Sequence, residues 1–319
     1  IHNRYRIRGG EDTVFEQECL LAQQWATTEQ FVVHNRTGLS GAWQFISSIW
    51  NIGAAGKVMK KINEFKPDVI HLHNWHFALG PYVIRRIHRS GIPVIHTISN
   101  FRLICPSGMM NHQGKIFDKS IREFFPWSAV WNKVYRDSYL QTFWLAVVIR
   151  FHQWMGTWSM IERYILLSDF AKNIFLSSTL KLQDGQLTVK PNFTFPVKDS
   201  QALPSPNSDF VYIGRFSEEK GILVLLEAFN QNEFRLTLAG SGPLVPLVEK
   251  LAAENKNIQY AGNLGTDEIN SLLQRSAVLL FPSLNFEGMP MTIIEALSNG
   301  TPVIASNIGV MPSMITNQY

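Results

Sequence analysis

The chain has 319 residues, which is long enough for two domains of ordinary size. Its hydrophobic fraction of 45% is normal for a globular protein, and no apolar run approaches the ~20 residues of a membrane-spanning helix. The only cysteines are Cys19 and Cys105, which excludes a disulfide framework and predicts a reducing, cytoplasmic location.

Charge and tryptophan are distributed unevenly along the chain. Residues 1–199 carry 23 Lys and Arg against 14 Asp and Glu, a net charge of +9, whereas residues 200–319 carry 6 against 11, a net charge of −5. All nine tryptophans lie between Trp25 and Trp158. A basic, Trp-rich half joined to an acidic half predicts two domains with different tasks. No nucleic-acid motif is visible, so we expect no nucleic acid as partner; a membrane surface or an anionic lipid-linked substrate fits the basic half at least as well.

The first motif is a pair of glycines, Gly9 and Gly10, before a segment with helical apolar spacing at residues 13–25. Adjacent glycines at a helix start can present backbone amides to a phosphate, although such a pair usually only marks a turn.

Two apolar runs, residues 68–74 and 92–98, are typical of buried strands. They alternate with helices predicted around residues 46–64 and 80–90. Alternation of strand and helix predicts a parallel, doubly wound sheet.

The first of these strands carries His71 and His73, which face the same side because they are two residues apart. A metal site is one interpretation. Hydrogen-bonded interior histidines are the other, and we favour it because no acidic or Cys partner lies at ligand spacing in the sequence.

Residues 117–160 interleave many aromatic residues with Lys, Arg and His. Several of the aromatic residues lie at helical spacing, so they could pack two helices onto the first domain. Alternatively they form a peripheral membrane contact, with Trp at headgroup depth and cations on anionic lipid. The sequence leaves these two interpretations even.

The second half opens after a segment with three prolines, residues 193–208, which is typical of a linker. We therefore predict domains at 1–196 and 209–319. In the second, Arg215 and Lys220 flank a turn between a predicted strand and helix. Two cations at the carboxyl end of a strand suit a diphosphate; a solvated turn neutralised by the adjacent acids at 218 and 219 is the alternative.

The most informative stretch is residues 281–300. An apolar run ending at residue 281 predicts a buried strand, and Pro290 and Gly300 mark the start and end of a following helix. Glu287 precedes the helix, and Glu295 lies about two turns further along. A helix start favours anions, and here the exposed amides would be those of Gly288, Met289 and Met291.

This Glu-x7-Glu pattern, with Glu-Gly-Met-Pro at its front and Glu-Ala-Leu at its back, resembles the signature of retaining glycosyltransferases of family 4. The segment from Gly214 to Gly221 is similar to the donor-diphosphate motif of that family, and residues 240–243 are similar to its Gly-x-Gly-Pro segment. The resemblance implies a GT-B fold, an α/β architecture of two Rossmann-like doubly wound parallel-sheet domains facing across a cleft. It also implies metal-independent transfer of a sugar, with retention, from a UDP- or GDP-sugar to a glycan or lipid-linked acceptor at the inner face of the membrane, with no cofactor.

Roles for single residues follow from the same resemblance. Glu287 would lie at the donor sugar, and Glu295 would hydrogen-bond the ribose. We do not expect Glu287 to be a nucleophile, because glycosidase-like double displacement needs a second paired carboxylate. The expected donor-binding residues are Gly9, Gly10, Arg215, Lys220, Gly242, Gly288, Met289, Pro290 and Glu295.

One position departs from the family pattern. The segment 99–106 resembles a family segment that begins with a catalytic-site His, and Ser99 occupies that position here. A Ser hydroxyl can hydrogen-bond but cannot shuttle a proton near neutral pH. His96, three residues earlier, is expected on the opposite face of the strand.

Two other functions therefore stay open: a nucleotide-sugar-binding protein with weak or lost catalysis, and a sugar-nucleotide epimerase of the same fold. In the family a strand of several residues precedes a glycine loop that resembles Gly9 and Gly10, whereas only Ile1 and His2 precede the turn here. The resemblance therefore implies that the first strand is missing or clipped. Family members also extend beyond both ends of this chain, so we expect it to be a fragment.

Overall fold

The computed structural model describes residues 1–5, 9–196 and 209–315, and the chain divides into two compact units. The first unit comprises Ile1–Met110 and Phe117–Pro191, and the second comprises Asn111–Ile116 and Asn192–Tyr319. Most of the predicted linker, residues 197–208, lies outside the described residues. The second unit thus includes Asn111–Ile116, a segment that the predicted boundaries assigned to the first domain.

The described residues form strands and helices that alternate along most of the chain. The strands are β1 (His2–Arg4), β2 (Val32–His34), β3 (Ile70–Leu72), β4 (Val94–Ile98), β5 (Asn111–His112), β6 (Lys115–Ile116), β7 (Arg163–Leu166), β8 (Leu187–Val189), β9 (Phe210–Ile213), β10 (Leu236–Ala239), β11 (Ile258–Gly262), β12 (Val278–Phe281) and β13 (Val303–Ala305). The α-helices are α1 (Gly10–Ala22), α2 (Gly38–Ser47), α3 (Ile52–Phe65), α4 (Tyr82–His88), α5 (Trp127–Trp131), α6 (Tyr139–Trp154), α7 (Asp169–Leu176), α8 (Ile222–Asn230), α9 (Val245–Glu254), α10 (Thr266–Arg275), α11 (Met291–Ser298) and α12 (Met311–Met314).

The first unit is built on a parallel sheet in the order β3-β4-β7-β8, beside a parallel pair β1-β2. The strands of the four-stranded sheet are short and mostly apolar, as expected of strands covered on both faces. The first strand, which we expected to be missing or clipped, is present as the three residues of β1. The amide of Asn3 donates to the carbonyl of Asn74 at 3.0 Å, so β1 lies directly beside the end of β3.

Helix starts in the first unit follow ordinary capping chemistry. The side chain of Asn51 accepts from the amide of Ala54 at 2.9 Å at the start of α3, and Ser138 caps α6. At α7 the side chain of Ser168 is the cap, accepting from the amide of Ala171 at 3.2 Å. Asp169 is the first helical residue, where its negative charge interacts favourably with the helix dipole.

The second unit has a five-stranded parallel sheet in the order β11-β10-β9-β12-β13. Successive side chains of its central strand β9 point to opposite faces. Tyr212 packs with Phe229 and Val248 in one apolar cluster, whereas Val211 packs with Ala296 in another. Helices therefore cover both faces, and the unit is doubly wound as the sequence predicted.

Helix length limits what the chain can do in a bilayer. The longest helix of the described residues, α6, has 16 residues, and none of the described helices has the length and apolarity needed to cross a membrane.

Candidate functional site

The order of the strands locates a site in the second unit before any side chain is considered. From β9 the chain adds β10 and β11 on one side of the sheet and later β12 and β13 on the other. In open parallel sheets ligands bind beyond the carboxyl ends of the strands at such a reversal. The loops that follow β9 and β12 meet at this point, and they carry the predicted residues Arg215, Lys220 and Glu287.

Backbone contacts hold these two loops together. The amide of Leu284 donates to the carbonyl of Glu219 at 2.9 Å. Gly221 has a left-handed φ of 73°, and a Cβ added to it would lie 2.1 Å from the carbonyl oxygen of Pro282. Only glycine fits this position, because any side chain would push the loops apart.

The close approach creates an ion pair between two predicted site residues. Lys220 Nζ lies 2.6 Å from Glu287 Oε1, and the hydroxyl of Ser283 donates to the same oxygen at 2.5 Å. The side chains of Lys220 and Glu287 are 26% and 15% exposed, so the pair is largely shielded from water. The acid that neutralises Lys220 is therefore Glu287, and Glu219 accepts instead from the hydroxyl of Ser217 at 2.6 Å.

Arg215 differs from Lys220, the other predicted cation of this loop. It is exposed, and its guanidinium makes no hydrogen bond or ion pair with any residue that the structure describes. Its backbone is fixed, because the buried hydroxyl of Tyr212 donates to its carbonyl at 2.8 Å. Burial, with smaller contributions from Glu287 and Glu219, raises the pKa of Tyr212, so this donor keeps its proton. The loop thus holds the backbone of Arg215 in place and leaves its guanidinium available to bind an anion.

Gly242 supports the same loop from the other side. A Cβ added to Gly242 would lie 2.4 Å from the carbonyl oxygen of Phe216, and the amide of Phe216 donates to the carbonyl of Ser241 at 2.8 Å. The role that the structure gives to Gly242 is close backbone packing behind Arg215.

The start of α11 supplies the remaining donors. Pro290 takes the position before the helix, and no side chain of the described residues caps its first turn. Asn192 donates from Nδ2 to the carbonyl of Met289 at 2.9 Å and so fixes the entry to the helix. The uncapped amides at this helix start favour an anion, as predicted for the segment from Gly288 onward. Glu295 lies half-buried in the second turn of α11.

Ser99 lies at the carboxyl end of β4, one residue beyond the strand. A small pocket there is lined in part by His73, His96, Ser99 and Arg102. The expectation that His96 and Ser99 lie on opposite faces assumed the alternation of a strand, which does not extend to Ser99. Burial lowers the pKa of His96 to about 3, so it is neutral near pH 7. The hydroxyl of Ser99 makes no hydrogen bond to any described residue.

The glycine pair at the start of α1 has a different surrounding from the one predicted. The amide of Gly9 donates to Asp12 Oδ2 at 3.0 Å, and Gly10 is the first residue of the helix. Glu11, also in the first turn, accepts from Asn100 Nδ2 at 2.6 Å. Burial raises the pKa of Glu11, whereas Asp12, despite its own burial, has its pKa lowered by hydrogen bonds from His2 and Gly9. An acidic first turn whose first amide is engaged is poorly suited to a phosphate.

A cluster that sequence spacing did not reveal lies deeper in the first unit. Glu18, on α1, lies 3.5 Å from His71 Nδ1 and 3.6 Å from His73 Nε2, so an acidic partner for the two histidines exists in space. These three residues could ligate a metal. However, Lys190 Nζ lies 2.6 Å from Glu18 Oε1 and already supplies the compensating positive charge. Burial lowers the pKa of His71 to about 4, in keeping with neutral, hydrogen-bonded interior histidines.

Comparison with protein families matches each unit to a different model. Residues 196–319 match the model of glycosyl transferases group 1, and residues 41–159 match that of the starch synthase catalytic domain. Each match spans less than half of the chain.

Similar proteins share the chain's architecture more than its sequence. D-rhamnosyltransferase WbpZ of Pseudomonas aeruginosa is 31% identical over 33% of this chain and 29% of its own length, and the uncharacterized glycosyltransferase YqgM of Bacillus subtilis is 30% identical over 46% and 43%. The alignments thus span less than half of these curated relatives. The crystal structure of Anabaena Alr3699/HepE in complex with UDP and glucose covers 99% of this chain and 82% of its own, at 14% identity and a TM-score of 0.61.

Proposed function

We propose that this chain, which has the GT-B fold and matches the glycosyl transferases group 1 family over residues 196–319, is a retaining glycosyltransferase of family 4. Its donor would be a nucleoside-diphosphate sugar. The observation that carries the proposal is the convergence of Arg215, Lys220 and the uncapped start of α11 at the reversal point of the second sheet.

The chemistry of the leaving group explains these residue types. Breaking the bond between a sugar and a diphosphate leaves negative charge on the diphosphate. The free fork of Arg215 and the amides at the start of α11 would stabilise this charge without reorganising. Lys220 would contribute only after exchanging Glu287 for a phosphate oxygen, so donor binding and release of Glu287 are coupled in this proposal.

That exchange gives Glu287 a role. Once Lys220 turns to the diphosphate, the carboxylate of Glu287 is free to accept a hydroxyl of the donor sugar. Glu295 would accept hydrogen bonds from the ribose. We propose that the transfer needs no metal, because two cations and a helix start can neutralise the diphosphate, and that no enzyme nucleophile forms a covalent intermediate.

Similar proteins indicate the class of donor, and the charge of the first unit indicates the class of acceptor. The structural neighbour Alr3699/HepE was solved with UDP and glucose, and WbpZ is a rhamnosyltransferase. We propose a UDP- or GDP-sugar as donor and a glycan or lipid-linked acceptor on the basic first unit. The reaction would take place in the cytoplasm, at the inner face of the membrane, with residues 117–160 in contact with lipid.

A binding screen tests the donor site. Thermal shift and titration calorimetry with UDP, GDP and their sugars would be measured on wild type, Arg215→Ala and Lys220→Ala. Loss of a charge-assisted hydrogen bond costs about 1.5–3 kcal/mol, so each variant should bind roughly 10- to 100-fold more weakly. Lys250→Ala is the matched control, because Lys250 is an exposed cation of the same unit, 3.9 Å from Glu254. Equal nucleotide affinity in all four proteins would contradict the proposal.

The surroundings of Ser99 favour one alternative, a protein that binds a nucleotide sugar without transferring it. Neither the hydroxyl of Ser99 nor the neutral His96 can shuttle a proton at neutral pH. This alternative predicts that the protein binds the donor, forms no product with candidate acceptors and does not hydrolyse the donor.

A further inference from the structure

Two helices of the first unit turn apolar side chains toward solvent. On α6 the exposed residues Leu140, Phe143 and Trp154 follow one face at helical spacing. On α2 the exposed residues are Leu39, Trp43 and Ile46. A surface helix normally carries polar residues on its outward face. Neither α2 nor the exposed face of α6 has a charged residue, so both helices have the pattern of an element with a partner.

Direct contacts join these helices. Trp144 Nε1, on α6, donates to the carbonyl of Phe45, on α2, at 3.1 Å. The ring of Trp50, just after α2, lies 6.0 Å from that of Phe151, which in turn lies 6.2 Å from that of Trp154. The two apolar faces are therefore neighbours.

The amino-terminal end of α6 packs against α5. The ring of Trp127 lies 6.0 Å from that of Phe143 and 6.1 Å from that of Trp131, and Trp131 reaches Tyr139 at 6.3 Å. Trp127, Trp131 and Tyr139 are 49%, 67% and 48% exposed. The exposed residues of α2, α5 and α6, with Trp50, are called the aromatic surface below.

The aromatic residues of residues 117–160 divide into a buried and an exposed set. Trp158 and Tyr135 are buried and pack the helices onto the first unit. Phe124, Trp131 and Trp154 are 80%, 67% and 78% exposed, which is far more than core packing requires. The exposed residues therefore indicate a surface that binds a partner.

The charge of the chain segment that carries the aromatic surface indicates which partner fits. Lys133 Nζ lies 4.8 Å from the centre of the Tyr139 ring, so a cation lies at the edge of the surface. Residues 30–160, which include the whole surface, carry 15 Lys and Arg against 5 Asp and Glu, a net charge of +10. Exposed Trp and Tyr on a basic segment are the pattern of a protein surface that lies in the headgroup region of an anionic bilayer.

We propose that the aromatic surface binds the interface of an anionic phospholipid bilayer, with α6 lying in the plane of the membrane. This inference extends the contact beyond residues 117–160 to α2. It rests on the proposed function for its biological role, since a lipid-linked acceptor would be met at this surface. Lipid binding itself requires no donor and can be measured separately.

The test is co-sedimentation of the full chain with vesicles of phosphatidylcholine alone and with 30 mol% phosphatidylglycerol. Wild type should bind the anionic vesicles more tightly. The double variant Trp131→Ser/Leu140→Ser, which removes two exposed apolar side chains, should bind about tenfold more weakly. Lys133→Ala should lose about fivefold on anionic vesicles only, because a cation near such a surface contributes about 1 kcal/mol. Trp25→Ser, 82% exposed but outside the aromatic surface, is the matched control and should bind like wild type.

Several outcomes would overturn the proposal. Absence of wild-type binding to anionic vesicles would do so, as would an equal loss in Trp25→Ser and in the double variant. Concentration-dependent self-association, measured by light scattering and abolished by the double variant, would assign the surface to a second copy of the chain instead. Failure of the nucleotide screen would leave vesicle binding untouched, so the two proposals fail independently. Leu39→Ser tests α2 separately and should weaken binding in the same direction.

Discussion

Gly221 is the position at which a single added methyl group should disable the donor site. Gly221→Ala introduces two separate costs. The first is the left-handed backbone, which costs a non-glycine residue about 1–2 kcal/mol. The second is the clash of the new Cβ with the carbonyl oxygen of Pro282 at 2.1 Å, which forces the two loops apart by roughly 1 Å to reach ordinary contact.

That displacement has a functional consequence. Lys220 precedes Gly221, and its 2.6 Å bond to Glu287, lengthened by about 1 Å, would no longer be a hydrogen bond. The backbone bond from Leu284 to Glu219 would be weakened in the same way. We expect a total loss of stability of about 2–4 kcal/mol in the second unit and a nucleotide affinity reduced at least tenfold.

Gly300→Ala is a matched control for this prediction. Gly300 has nearly the same φ, 74° against 73°, lies in the same unit, and has no atom within 4 Å of an added Cβ. It should therefore cost only the backbone strain and leave nucleotide affinity unchanged. Melting temperature and calorimetric titration with UDP and GDP measure both effects. If Gly221→Ala costs no more than Gly300→Ala, the reasoning from the Pro282 contact is refuted.

Three further predictions concern the two candidate sites. Glu287→Gln should keep or slightly strengthen nucleotide affinity, because Lys220 loses its competing carboxylate, while lowering sugar transfer roughly 100-fold; weaker nucleotide binding would contradict this. Ser99→His should raise transfer or donor hydrolysis without changing nucleotide affinity, and no gain in turnover would remove Ser99 as the cause of weak catalysis. Because burial lowers the pKa of His96 from 6.5 to about 3, the unfolded chain binds more protons below pH 6.5, so stability falls as pH falls from 6.5 toward 3, by about 1 kcal/mol per pH unit. The fall in melting temperature between pH 7 and 5.5 should therefore be smaller in His96→Gln than in wild type, and an equal fall in both would contradict this.

The sequence predicted the parts of the fold that depend on local patterns. The apolar run ending at residue 281 is β12, and Pro290 and Gly300 bracket α11 as expected of a helix start and end. Doubly wound sheets followed from alternating strands and helices.

What the sequence missed depends on contacts between distant residues. Lys220 and Glu287, 67 residues apart, were both assigned to the donor site, but nothing in their spacing showed that each neutralises the other. Glu18 lies on α1 and His71 on β3, so ligand spacing in the sequence could not reveal this acidic partner of His71. The exposed face of α2 was missed because exposed and buried helical apolar residues have the same period.

The hairpin β5–β6 has a consequence for exchanging parts between relatives. Asn111 Nδ2 donates to the carbonyl of Leu284 at 3.3 Å and Asn192 Nδ2 to that of Met289 at 2.9 Å, so the second unit is completed by residues that precede residue 209. The polypeptide passes from one unit to the other after residues 110, 116 and 191. A graft that begins at residue 209 would therefore leave both contacts behind. To transplant donor specificity intact, a chimaera must carry residues 111–116 together with everything from residue 192 onward.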